Sequence, residues 1–219
     1  MPRKKADPKS PLLARSPTSS PITSGDISPV LEPQSPEDDS TQCVQTALGL
    51  LKGLQDCNKL INVEPGLFEW AEWYKQRFPK WLSVQELLDQ SFPVNVEYRP
   101  VYTASTLDHN ESLSDYYTRS FNVVKSALKK HSHSSDTILL VAHAASLDTC
   151  SRSLVGGEPR NLVEFYTLLQ KTPYLSMAAV QEDCSSQRWH LCDPPILPLT
   201  HHGNEGFRWK LLQAPRHHR

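Results

Sequence analysis

His143 and Glu69 are the residues whose types and settings fit proton and phosphoryl chemistry. His143 lies in Val141-Ala-His-Ala-Ala-Ser146, directly after an aliphatic run. In open α/β sheets the carboxyl ends of strands line ligand crevices. Ala142, Ala144 and Ala145 leave space about the ring, and Ser146 opens a helix whose N-terminus favours an anion. An imidazole placed there donates to phosphate or exchanges protons near neutral pH. The other reading is a buried histidine satisfied within the core. Glu69 follows Pro65-Gly66, among Phe68, Trp70 and Trp73. A carboxyl group in aromatic surroundings is expected to have a raised pKa and to act as a general acid. Glu64 and Glu72 are rival carboxylates, and a solvated helical glutamate is the alternative.

Other chemistry-bearing residues carry less. His201-His202-Gly203 follows a proline-rich run, but adjacent histidines lack metal-ligand spacing and no third ligand accompanies them. His217-His218 belong to a basic C-terminus. The five cysteines, Cys43, Cys57, Cys150, Cys184 and Cys192, form an odd set without a Cys-x-x-Cys pair. That usage fits a reducing, intracellular compartment and inert thiols. With no metal site and no glycine-rich nucleotide loop, no cofactor is expected.

The elements that must position these residues alternate. Val44, Ala47, Leu48, Leu51 and Leu54 recur at helical spacing over 41–56. Residues 60–64 predict a short strand stopped by Pro65-Gly66, and 67–76 a short aromatic helix. Ser83 and Glu86 form a capping-box pattern for a helix through residue 90. Residues 91–111 predict a loop. Over 112–131, capped by Ser112 or Ser114, Tyr117, Phe121, Val124 and Leu128 form an apolar stripe. The continuous aliphatic run 137–142 predicts a buried parallel strand. Helices near 146–154 and 160–171 follow, then a hairpin of 176–182 and 187–192. The class is α/β.

Composition divides the chain. Residues 1–40 hold five Ser-Pro dipeptides and little apolar surface, so a disordered tail is expected there. The tail is either a target of proline-directed kinases or a plain linker. Residues 41–213 form the domain and 214–219 a basic C-terminal tail. A net charge of −1 argues against a nucleic-acid partner, and no apolar run is long enough for a membrane span. A cytoplasmic location is expected, with Arg3-Lys4-Lys5 a weak nuclear-import pattern.

Several segments together resemble one family. Val141-Ala-His-Ala-Ala-Ser-Leu-Asp148, Val63-Glu-Pro-Gly-Leu-Phe-Glu-Trp70, Asp115-Tyr-Tyr-Thr-Arg-Ser-Phe121, Asp193-Pro-Pro-Ile-Leu-Pro-Leu-Thr-His201 and Gly206-Phe-Arg-Trp209 are similar to the histidine-phosphatase domain of ubiquitin-associated and SH3-domain-containing proteins. These are also called suppressors of T-cell receptor signalling. The resemblance runs from about residue 43 to 212. It implies a phosphoglycerate-mutase-like fold, dephosphorylation of phosphotyrosine proteins and possible homodimers. It also implies that His143 is the second pocket histidine and Glu69 the proton donor. The family nucleophile lies in Arg-His-Gly, a tripeptide that this sequence does not contain. A family pocket arginine precedes Cys-Val-Gln-Thr-Ala, where this chain has Gln42. Expectations follow for an incomplete domain without its first strand, its nucleophile and its phosphate-binding arginines. Such a chain would be inactive, or a scaffold with a phosphorylatable tail, or active only with residues supplied in trans.

Overall fold

The computed structural model describes residues 39–54, 59–131, 137–195 and 207–213, all within one unit, Pro33–Arg219. The Ser/Pro-rich segment through residue 38, Cys57, His201-His202-Gly203 and residues 214–219 lie outside the described residues.

Local signals account for the helices. Helix α1, Asp39–Leu54, begins two residues before the expected boundary and buries Val44. Helix α2, Val84–Asp89, starts at a capping box. The Ser83 hydroxyl accepts from the Glu86 amide, and the Glu86 carboxylate accepts from the Ser83 amide. Helix α3, Leu113–Lys130, repeats the device with Asp115 as the returning acid, so Ser112 and not Ser114 is its cap. Tyr116, Tyr117, Arg119, Ser120, Val123 and Val124 form its buried face; of the expected stripe, Tyr117 and Val124 belong to it, while Phe121 and Leu128 are half-buried. Helix α4, Ser146–Ser151, and helix α5, Leu162–Leu169, are both shorter than expected, and Asn161 caps the latter. The aromatic segment after Gly66 forms a single 3-10 turn, Ala71–Tyr74, in place of an α-helix.

Strand expectations meet a mixed outcome. The hairpin is present: β1, Ala179–Asp183, pairs antiparallel with β2, Arg188–Cys192, with Ala179 opposite Cys192. Residues 60–64 contribute only an isolated parallel bridge, Ile61 to Val94. The run 137–142 joins no sheet among the described residues. Leu139 and Leu140 are 57% and 37% exposed, so the expected buried strand is corrected. An aliphatic run becomes a buried parallel strand only when strands pair with it and helices cover both faces, and no described strand lies beside this one.

Among the described residues, three apolar clusters hold the unit together. Trp70, Tyr116, Tyr117, Ala145 and Phe165 join the Glu69 loop, α3, the start of α4 and α5. Val44, Leu87 and Val94 pack α1 against α2. Leu168, Phe207 and Leu212 form the third. The Glu69 loop approaches α3 closely at Gly66, where an added Cβ would sit 2.6 Å from Val123 Cγ2 and 2.8 Å from a Glu64 carboxylate oxygen. Gly66→Ala should therefore destabilise the chain by about 1–3 kcal/mol, measured by urea unfolding.

Candidate active site

Glu69 is placed by its backbone. The Arg119 guanidinium, on α3, donates to the carbonyls of Gly66 (2.8 Å), Phe68 (3.0 Å) and Glu69 (2.9 Å). Its remaining donors meet both oxygens of Glu111, at 2.9 and 2.6 Å. Arg119 and Glu111 have side chains only 5% and 4% exposed. Glu111 also accepts from the Ala71 amide, and its carbonyl accepts from the Trp70 indole. The three-carbonyl clamp and the paired carboxylate together fix the path of the loop on either side of Glu69.

His143 precedes α4, and its carbonyl accepts from the Ser146 amide, closing the turn into that helix. α4 is anchored by buried Asp148, which receives the Tyr117 hydroxyl and the Arg160 guanidinium. Phe68 meets the imidazole edge-to-face with ring centroids 6.0 Å apart.

The two expected residues come together. His143 Nδ1 lies 3.2 Å from Glu69 Oε1, with side chains 14% and 23% exposed. Glu69 Oε2 accepts from the Tyr74 hydroxyl at 2.5 Å. On the other side of the ring, His143 Nε2 lies 3.6 Å from the Cys43 sulfur on α1. The rival carboxylates are engaged elsewhere. Glu64 accepts from the Gly66, Val101 and Tyr102 amides and the Tyr98 hydroxyl, while Glu72 pairs with Lys75 at 2.6 Å. Gln42 stands next to Cys43 in α1, where its carbonyl accepts from Thr46.

Electrostatics reverses one expectation. Burial pushes the Glu69 carboxyl up, but the His143 hydrogen bond and charge, with Tyr74, outweigh it and hold the group below its ordinary value. Burial lowers His143, yet its hydrogen bonds to Cys43 and Glu69 and the adjacent charges carry it up to about 10. At neutral pH the site rests as carboxylate and imidazolium, with the proton on nitrogen. The expected raised carboxyl fails because the His143 cation and the Tyr74 hydroxyl stabilise the ionised form against the effect of burial.

No protein-family model matches the chain. It is 43% identical over 178 residues to ubiquitin-associated and SH3 domain-containing protein B of Mus musculus, covering 80% of this chain and 28% of that protein. It is 41% identical over 178 residues to the ecdysteroid-phosphate phosphatase of Drosophila melanogaster, covering 80% and 23%. The crystal structure of ecdysone phosphate phosphatase from Bombix mori in complex with tungstate matches with a TM-score of 0.61 and 26% identity, over 78% of this chain and 66% of that one. The fold is that of the histidine phosphatases. Within that class, the chain belongs to the family of the ubiquitin-associated and SH3 domain-containing proteins, of which it spans about a quarter of the length.

Sequence reasoning missed Cys43, Tyr74, Arg119 and Glu111. Arg119 had a signal: a lone arginine on the apolar face of a strongly amphipathic helix needs a buried acid. Cys43 had none, being 100 residues from its partner.

Two outcomes are expected. Arg119→Met leaves Glu111 buried without its cation and should cost about 3–5 kcal/mol by urea unfolding. The His143–Glu69 pair should give a pH-dependent stability. His143, raised in the folded chain from 6.5, contributes fully below 6.5 and loses its contribution as pH rises toward about 10. Glu69, lowered from 4.5, contributes above that value and loses its contribution as pH falls. The stability gap between the parent chain and His143→Gln should be widest at roughly pH 5–6.5 and should narrow by about pH 10. Equal gaps at both ends would refute the pair's ionic character.

Proposed function

We propose that this chain carries the proton-donor side of a phosphoryl-transfer site and, by itself, hydrolyses no phosphomonoester. One observation carries the reading: both nitrogens of His143 face groups of the chain itself, Glu69 at 3.2 Å and Cys43 at 3.6 Å. The sequence adds two supports. Position 42 holds glutamine where the family resemblance implies a pocket arginine, and Arg-His-Gly does not occur. Glutamine lacks the permanent charge and forked donors that hold a phosphate dianion. A covalent phosphohistidine route needs a nucleophilic nitrogen, and the remaining members of such a constellation retain little activity when one is missing.

The substrate class suited to the complete site is a phosphomonoester, with phosphotyrosine proteins the class implied by the family. A scaffold role, with proline-directed kinases acting on the Ser-Pro segment, accompanies this reading. A second reading has its own observation. Residues 137–142 end at His143 and lack a strand partner among the described residues, with Leu139 and Leu140 exposed. A strand from another polypeptide, or from a second copy, would pair there and could bring a nucleophile to the pocket.

The test is release of phenolate or phosphate from p-nitrophenyl phosphate and a phosphotyrosine peptide. The expected result is no release above buffer. Turnover that disappears in His143→Ala would overturn the proposal. Turnover rising with the square of chain concentration would move the assignment to the second reading.

A further inference from the structure

We propose that Cys43 is a nucleophilic thiol served by His143 and Glu69, and that it exchanges with small-molecule disulfides. The inference goes beyond the phosphate reading and does not rest on it, because it needs only the Cys43, His143 and Glu69 geometry and no phosphate pocket.

Three segments distant in sequence supply the parts: α1 brings Cys43, the loop after Gly66 brings Glu69, and the turn before α4 brings His143. The sulfur lies 3.6 Å from Nε2, the carboxylate 3.2 Å from Nδ1, and the Tyr74 hydroxyl holds the second carboxylate oxygen at 2.5 Å. Nucleophile, proton-carrying imidazole and orienting carboxylate thus follow one another at hydrogen-bond spacing, the arrangement that activates a thiol. Phe68 fixes the ring edge-on, so the imidazole presents one nitrogen to each partner. Cys43 is half-buried and His143 retains 14% exposure, which leaves an approach for a small reagent.

The other described cysteines lack this setting. Cys184 is exposed in the hairpin turn and Cys192 is half-buried in β2, neither with a hydrogen-bonded histidine among the described residues. Burial pushes the Cys150 thiol up to about 12, which keeps it protonated and unreactive.

The incoming disulfide is itself the oxidant: Cys43 is oxidised to a mixed disulfide and one sulfur of the reagent is reduced to a thiol. The Cys43 proton passes through His143 Nε2, while Nδ1 faces the Glu69 carboxylate. The Cys43 sulfur attacks one sulfur of the disulfide, a new S–S bond forms and the old one breaks. The departing thiolate takes the proton from His143 and leaves as a thiol. A mixed disulfide at Cys43 would then occupy the space beside Nε2.

The experiment incubates the reduced full chain with oxidised glutathione at neutral pH and follows each cysteine by peptide mass spectrometry. Cys43 should form its mixed disulfide about tenfold faster than the more exposed Cys184. His143→Gln should slow Cys43 about tenfold and leave Cys184 unchanged, with Glu69→Gln giving a smaller loss in the same direction. Unfolding the parent chain in urea should bring the Cys43 rate down to that of Cys184, whereas a thiol limited only by access would speed up. That measurement stands even where a variant fails to fold, which labelling of Cys150 would reveal. A Cys43 rate at or below that of Cys184 in the folded parent chain overturns the proposal. So does a Cys43 rate that urea raises.

Discussion

The Arg119 guanidinium is the interaction on which the rest of the site depends. All five of its N–H donors have protein acceptors: two oxygens of Glu111 and the carbonyls of Gly66, Phe68 and Glu69. A charge with a side chain only 5% exposed is tolerable only when paired and fully hydrogen-bonded, so the loop cannot shift without leaving a donor orphaned. Lysine, a point charge with three donors, could not hold three carbonyls and a bidentate carboxylate at once. The loop that carries Glu69 is therefore held to α3 by direct hydrogen bonds, with Trp70 packed into the aromatic cluster beside it.

A second buried charge does similar work for His143. Asp148 receives Tyr117 from α3 and Arg160 from the segment before α5, and Arg160 also donates to the Leu211 carbonyl. α4 is thus tied to α3, to α5 and to the C-terminal turn. Two arginine–carboxylate pairs, both reaching α3, set the distance between Glu69 and His143. Their approach favours the charged form of each, and at His143 the hydrogen bond to Cys43 acts in the same direction.

Much of the helical framework was legible in the sequence because its signals are local. Ser83 with Glu86 and Ser112 with Asp115 satisfy amides three residues away, and the hairpin is announced by its polar turn. The strand expected at 137–142 was not legible, and neither was the one at 60–64. Aliphatic composition states that a segment wants burial and pairing, but the neighbour that provides them lies elsewhere in the fold. Within the site, His143 and Glu69 were recognisable by residue type and setting, whereas Tyr74 and Cys43 became partners only through folding.

The sequence by itself determined the Ser83 capping box, the hairpin, the family and the identity of the two titratable residues, each through contiguous residues or ordered motifs. Tertiary structure alone decided which of three glutamates faces the histidine and that Glu69 rests ionised. It also decided that a cysteine 100 residues away completes the group. The reason is physical. Hydrogen-bond caps and turns act over three or four residues, but a pKa answers to whatever charge, proton or apolar wall lies within a few ångströms in space.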